Sequence, residues 1–163
     1  MDTVTTMAST RPSYEALYRA DAERLWRALY AYAGDPDIAS DAVNEAYAQA
    51  MGRGDAVRDP AAWVWRTAFA LARGALKARR SDEHMRAGER AAPADIDRYA
   101  DPDLLAALRR LPQGQRAVLI LFYFGDLPVR QIADRLGTNS LAVRATLTRG
   151  RRRLRQLLGD ADG

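Results

Sequence analysis

The residues in this chain best suited to chemistry are arginines. Six of them, Arg144, Arg149, Arg151, Arg152, Arg153 and Arg155, lie between Arg144 and Arg155 with no acid to neutralise them. At 3.6 residues per helical turn, Arg144, Thr148, Arg151 and Arg155 fall along one line, with Arg152 beside it. Unpaired like charges one turn apart repel by roughly a few tenths of a kcal/mol per pair, so an acid-free run is costly unless a polyanion meets it. The negative end of the helix dipole accounts for about two or three of these cations. The rest point to phosphate, and so to nucleic acid.

No other group competes with that reading by offering covalent chemistry. Cysteine is absent, which excludes disulfides, thiolate zinc sites and thiol nucleophiles. The single histidine, His84, sits in Arg80-Ser81-Asp82-Glu83-His84-Met85 and reads as a solvated linker residue. No nucleophile with its base, no metal-ligand cluster and no phosphate loop emerges, so the chain is expected to bind rather than catalyse, and to need no cofactor.

The elements that must position the arginines are helices. Residues 14–33 carry Leu17, Tyr18, Leu25, Ala28, Leu29 and Tyr32 at three- and four-residue intervals, and Gly34-Asp35-Pro36-Asp37 breaks the pattern. It resumes with Ile38, Ala42, Val43, Ala46, Tyr47, Ala50 and Met51, opposite Asp41, Asn44 and Glu45, and stops near Gly52-Arg53-Gly54. Asp59-Pro60 reads as a cap and first-turn proline for a third helix over 61–80, whose far end is basic with Arg73, Lys77, Arg79 and Arg80. There the stripe Val64, Ala68, Leu71 and Ala75 is expected to be core, leaving Trp65, Arg66 and Arg73 facing outward.

From 81 to 101 the periodicity fades and acids outnumber bases, which reads as a flexible linker between two domains. Helices resume over 103–110 and, after Leu111-Pro112-Gln113-Gly114, continue to Gly125. Pro128 then precedes a stripe of Val129, Ile132, Ala133 and Leu136 ending at Gly137. Thr138-Asn139-Ser140 makes a tight turn with Ser140 as the expected N-cap, and a long helix follows over 141–158 with Val143, Leu147, Gly150, Leu154 and Leu157 on its inner face. Two helices joined so closely form a helix-turn-helix. No strand pattern is found. The fold class is all-α, with two small helical domains at 13–80 and 102–158.

Residues 111–154 include Leu111-Pro112, Arg116-Ala117-Val118-Leu119, Gly125-Asp126-Leu127, Ile132-Ala133, Leu136-Gly137, Val143-Arg144, Leu147, Arg149, Arg151 and Leu154. This set resembles the fourth conserved region of sigma factors. Asp41-Ala42-Val43-Asn44-Glu45-Ala46-Tyr47 is similar to the second-region helix of the same family, and Trp63-Val64-Trp65-Arg66-Thr67-Ala68 to its Trp-Leu-Tyr-Arg-Ile-Ala signature. Since the middle region of larger members is replaced by the acidic linker, the chain resembles the extracytoplasmic-function group.

That resemblance implies a bacterial transcription factor of the sigma-70 family. Its N-terminal domain would bind the clamp helices of core RNA polymerase through Asp41, Asn44 and Glu45, and meet the minus-ten promoter strand. Trp63, Trp65, Arg66, Phe69, Arg73 and Lys77 would take the unstacked bases by stacking and charge. Its C-terminal domain would bind the polymerase flap and the minus-thirty-five element of promoter DNA through Ser140, Leu141, Arg144, Thr148, Arg149, Arg151, Arg152 and Arg155. Members are often held inactive by an anti-sigma factor, which is therefore a further expected partner.

The chain departs from the family in three places. Ala70 and Gly74 stand where the family usually has Asn and Asp, and Leu141-Ala142-Val143-Arg144-Ala145-Thr146 replaces its Gly-Thr-Val-Lys-Ser-Arg. The third is Asn44, a shorter amide where the clamp-binding helix of the family has glutamine. The first departure keeps a second reading open, a sigma-derived helix-turn-helix regulator without melting activity. The longest uncharged apolar run, 117–125, is far short of the roughly 20 residues of a membrane span, and residues 1–10 lack a secretory pattern, so a cytoplasmic location is expected.

Overall fold

Side-chain caps set most of the helix starts. In the computed structural model, which describes residues 13–83 and 101–161, Ser13 accepts the Ala16 N–H at 3.1 Å and opens α1 (Tyr14–Ala33). Asp35 accepts from the N–H groups of Asp37 and Ile38 and opens α2 (Pro36–Arg53), with proline at the first position. Asp35 is itself buried and paired with Arg79, so one carboxylate caps a helix and ties it to its neighbour. A short 3-10 turn, Gly54–Ala56, leads to α3 (Pro60–Glu83), where Asp59 accepts from the Ala62 N–H at 3.1 Å.

α1, α2 and α3 pack mutually into a three-helix bundle. Ala28, Ala39, Ala46, Ala50, Ala68 and Ala72 are all fully buried, and such small residues let the helices approach closely around Leu25, Leu29 and Val64. The buried stripe of α3 is Val64, Trp65, Ala68, Phe69 and Ala72. This corrects the expectation that Trp65 faces outward: Leu71 is half-buried and Ala75 exposed, while Trp65 is only 3% exposed. Leu71 and Ala75 lie along the open groove with α2, whereas the two rings turn towards α1, where Trp65 bonds Asp21 and Phe69 packs on Tyr32.

The second group comprises α4 (Pro102–Arg109), α5 (Gln113–Tyr123), α6 (Val129–Leu136) and α7 (Ser140–Ala161). Asp101 caps α4, and residues 117–121 of α5 are buried throughout. Between α6 and α7, Gly137 takes a left-handed conformation at φ 67°, which a side chain would strain. The cap of α7 is Asn139, whose Oδ1 accepts the Ala142 N–H at 2.8 Å, and not Ser140, which forms the first helical residue instead.

A single hydrophobic core runs through both groups. Among the described residues there are only helices, as the sequence predicts. α3 extends to Glu83, three residues past its expected end, and the rest of the expected linker, with His84, lies outside the described residues.

Candidate nucleic-acid interface

The helix-turn-helix forms one pole of the interface. Val143, Leu147, Gly150 and Leu157 are buried and Leu154 half-buried, so this face of α7 is fixed on α4, α5 and α6 as the spacing requires. On the opposite side Leu141, Arg144, Thr148, Arg149, Arg152 and Arg155 are exposed, Ser140 is half-buried, and Arg153 joins the exposed cations. Arg144, Arg149, Arg152 and Arg155 have no ionic partner among the described residues.

Arg151 differs from its neighbours. Its Nε donates to the Tyr123 hydroxyl at 2.7 Å, and its guanidinium lies 5.3 Å over the Phe122 ring and 5.5 Å over that of Tyr123. It is half-buried and held in place, with its terminal nitrogens still available to an anion. Tyr123, the residue that orients it, was not visible as a functional position, because it sits in an apolar helical run that reads as core.

The α3 face is divided. Arg66, Arg73 and Lys77 are exposed, and Trp63 is half-buried with the Arg53 guanidinium 5.4 Å over its ring. Trp65 and Phe69 point inward, stacked on each other at 6.2 Å. The Trp65 indole N–H donates to Asp21 at 2.6 Å, and Arg24 covers its ring at 5.2 Å while pairing with Asp21 at 2.8 Å. A small pocket between the two groups of helices is lined by Tyr32, Trp65, Arg66, Phe69, Arg73 and, from the other side, Arg135. Burial drives the Arg135 guanidinium below its ordinary pKa, with the nearby Arg66 charge adding to the effect, and its Nη1 has no hydrogen-bond partner.

The corner of α4 and α5 docks the second group on the C-terminal end of α1. Arg116 donates to the Tyr32 carbonyl at 2.7 Å and to the Arg109 and Leu111 carbonyls, each at 3.0 Å. Arg109 donates to the Tyr30 hydroxyl at 3.0 Å and lies over its ring. Gly125 approaches Trp65 so closely that a Cβ there would sit 3.1 Å from the indole and 2.6 Å from the Leu121 carbonyl, which only glycine avoids. Arg109 and Arg135 were not singled out from sequence, and Arg116 entered only as part of a motif with no role of its own, since an isolated arginine on an amphipathic helix carries no signal of what it docks against.

A third region lies on α2. Asp41, Asn44 and Glu45 are exposed and, with Ile38, Ala48, Leu71 and Ala75, line an open groove of about 590 Å³ against α3. Glu45 accepts from the Gln49 amide at 2.9 Å, while Asp41 has no partner among the described residues. The groove has an apolar floor and an acidic rim.

Residues 102–154 match the family model of sigma-70 region 4. Over 144 residues the chain is 31% identical to RNA polymerase sigma factor SigV of Bacillus subtilis (strain 168), covering 84% of this chain and 86% of that protein. Among solved structures, the sigma factor RpoE in complex with the anti-sigma factor NepR from Bartonella quintana superposes with a TM-score of 0.76 at 19% identity, covering 90% of this chain and 96% of that one. CnrH in complex with the cytosolic domain of CnrY gives 0.69 at 23% identity, over 92% of this chain and 89% of that one.

Proposed function

We propose, on the premise that this chain belongs to the extracytoplasmic-function sigma factors of the sigma-70 family, a division of promoter recognition between its two groups of helices. The chain is an RNA polymerase sigma factor that binds core polymerase and promoter DNA. In our reading α7 enters the major groove of the minus-thirty-five element, its N-terminal residues at base edges and its later arginines on phosphates. The observation that carries this is the acid-free arginine face on the outer side of a helix whose inner side is buried.

The α2 groove takes the basic clamp helices of core polymerase, with Asp41 and Glu45 supplying charge and Asn44 an amide. The α3 face takes the minus-ten strand through Trp63, Arg66, Arg73 and Lys77, and through Trp65 and Phe69 once the second group of helices moves away. Residues 13–80 and 102–158 thus act as separate domains during initiation. The chain works by binding and carries out no covalent step. An anti-sigma factor is a fitting partner, since the structurally similar sigma factor RpoE was captured with one. No helix among the described residues is long and apolar enough to cross a membrane, and the cytoplasm, where polymerase and chromosome lie, is the proposed site of action.

The test is transcription in vitro from a pool of genomic promoter fragments by core polymerase with and without the chain. Discrete new transcripts sharing an upstream sequence are expected. DNA binding with no new transcript would instead make the chain a regulator that has lost its melting function.

A further inference from the structure

The outer end of α7 is unusual in what its side chains leave available. Asn139, the residue best suited to bidentate recognition of adenine, has its side-chain oxygen engaged by the Ala142 N–H. The Thr148 hydroxyl donates to the Arg144 carbonyl at 3.0 Å, and Arg151 is held on Tyr123. There is no carboxylate along residues 140–155 to accept from cytosine N4. Exposed at the helix start are Leu141, Arg144 and Ala145, and Leu141 is 77% exposed, the most of any large apolar residue among those described. An aliphatic side chain at that place matches one feature of the major groove, the C5-methyl of thymine, while a guanidinium one turn further on matches guanine O6 and N7.

We propose that Leu141 is a specificity-determining residue that reads a thymine methyl in the upstream promoter element, next to a guanine held by Arg144. This rests on the reading of α7 as the major-groove helix. Leu141 stands where the resemblance would place glycine, so the contact belongs to this chain and sets its promoter apart.

Replacing thymidine by deoxyuridine removes only the methyl, which makes the test specific. The full chain, assembled on core RNA polymerase, selects duplexes from a random pool, and the enriched element is resynthesised with dU at one thymine position at a time. At one or two positions the wild type loses about fourfold in affinity, the equivalent of about 0.8 kcal/mol for one buried methyl-sized group. Leu141→Ala binds the unmodified element about fourfold more weakly and is indifferent to dU at those positions, whereas Leu141→Met keeps the sensitivity. Indifference of the wild type to dU everywhere, or a Leu141→Ala variant with undiminished sensitivity, overturns the assignment while leaving α7 as the DNA helix. A pool with no enriched element overturns the reading of α7 itself, and the assignment with it.

Discussion

Arg151 and Arg152 are adjacent in sequence and play different physical parts. Arg152 is an exposed cation on a flexible stem, whereas Arg151 is fixed by the Tyr123 hydroxyl and by two aromatic faces. A guanidinium already ordered in the free chain loses less side-chain entropy when it meets a phosphate. Arg151→Ala is therefore expected to lower the slope of log affinity against log salt by about one, the signature of a lost phosphate contact. Tyr123→Phe keeps the charge and the ring but removes the hydrogen bond, so it weakens binding by about 0.5–1.5 kcal/mol with the slope unchanged. Fluorescence anisotropy over a salt series separates the two, and a slope that falls in Tyr123→Phe would show that the hydroxyl is not merely orienting the arginine.

At the level of the element, the termini matter as much as the faces. Because Asn139 caps α7, Asn139→Ala is expected to cost about 0.5–2 kcal/mol in chemical denaturation, while Ser140→Ala costs only roughly a few tenths. Equal costs would return the cap to Ser140. The helices, their order and the inner face of α7 were legible from apolar spacing, because each buries one stripe against neighbours close in sequence. The cap was ambiguous because Asn and Ser satisfy the same N–H equally well. The orientation of α3 was illegible for another reason: its rings are buried by residues such as Gly125, far away along the chain, and local periodicity holds no record of them. α2 presents the reverse case, a surface left uncovered. Asp41→Lys and Glu45→Lys should reduce affinity for core polymerase by at least about tenfold, equivalent to about 1.4 kcal/mol, with no loss of melting temperature. Retained affinity, measured by competition with another sigma factor, would move the docking surface elsewhere.

Over the whole molecule, one set of contacts sets aside part of the machinery. Arg116 and Arg109 dock the α4–α5 corner on Tyr30 and Tyr32, Arg24 reaches Asp126 at 3.5 Å, and under this cover Trp65 and Phe69 are 3% and 7% exposed. Rings so covered cannot stack on bases, so under the proposed function the free chain is expected to bind single-stranded minus-ten DNA only in proportion to its open fraction. Burial first, opposed by Tyr32 and reinforced by the charges of Arg80 and Arg109, holds the Arg116 guanidinium below its ordinary pKa, and its three carbonyl partners offset part of the cost of burying the cation. Removing Arg116 also loosens the α4–α5 corner internally, whereas removing Arg109 costs mainly the contact with Tyr30. Arg109→Ala is thus the cleaner variant, and it should raise the open fraction. Since the chain has no cysteine, a pair introduced at exposed Ala48 and Ala145 labels one site in each group of helices. Electron-spin distance measurements are expected to give one short population for the wild type and an added longer one for Arg109→Ala, with tighter binding of a single-stranded oligonucleotide by the variant. Unchanged distances would deny the arginine any part in closure. Longer distances with weaker binding would mean instead that the closed arrangement is the one that holds DNA.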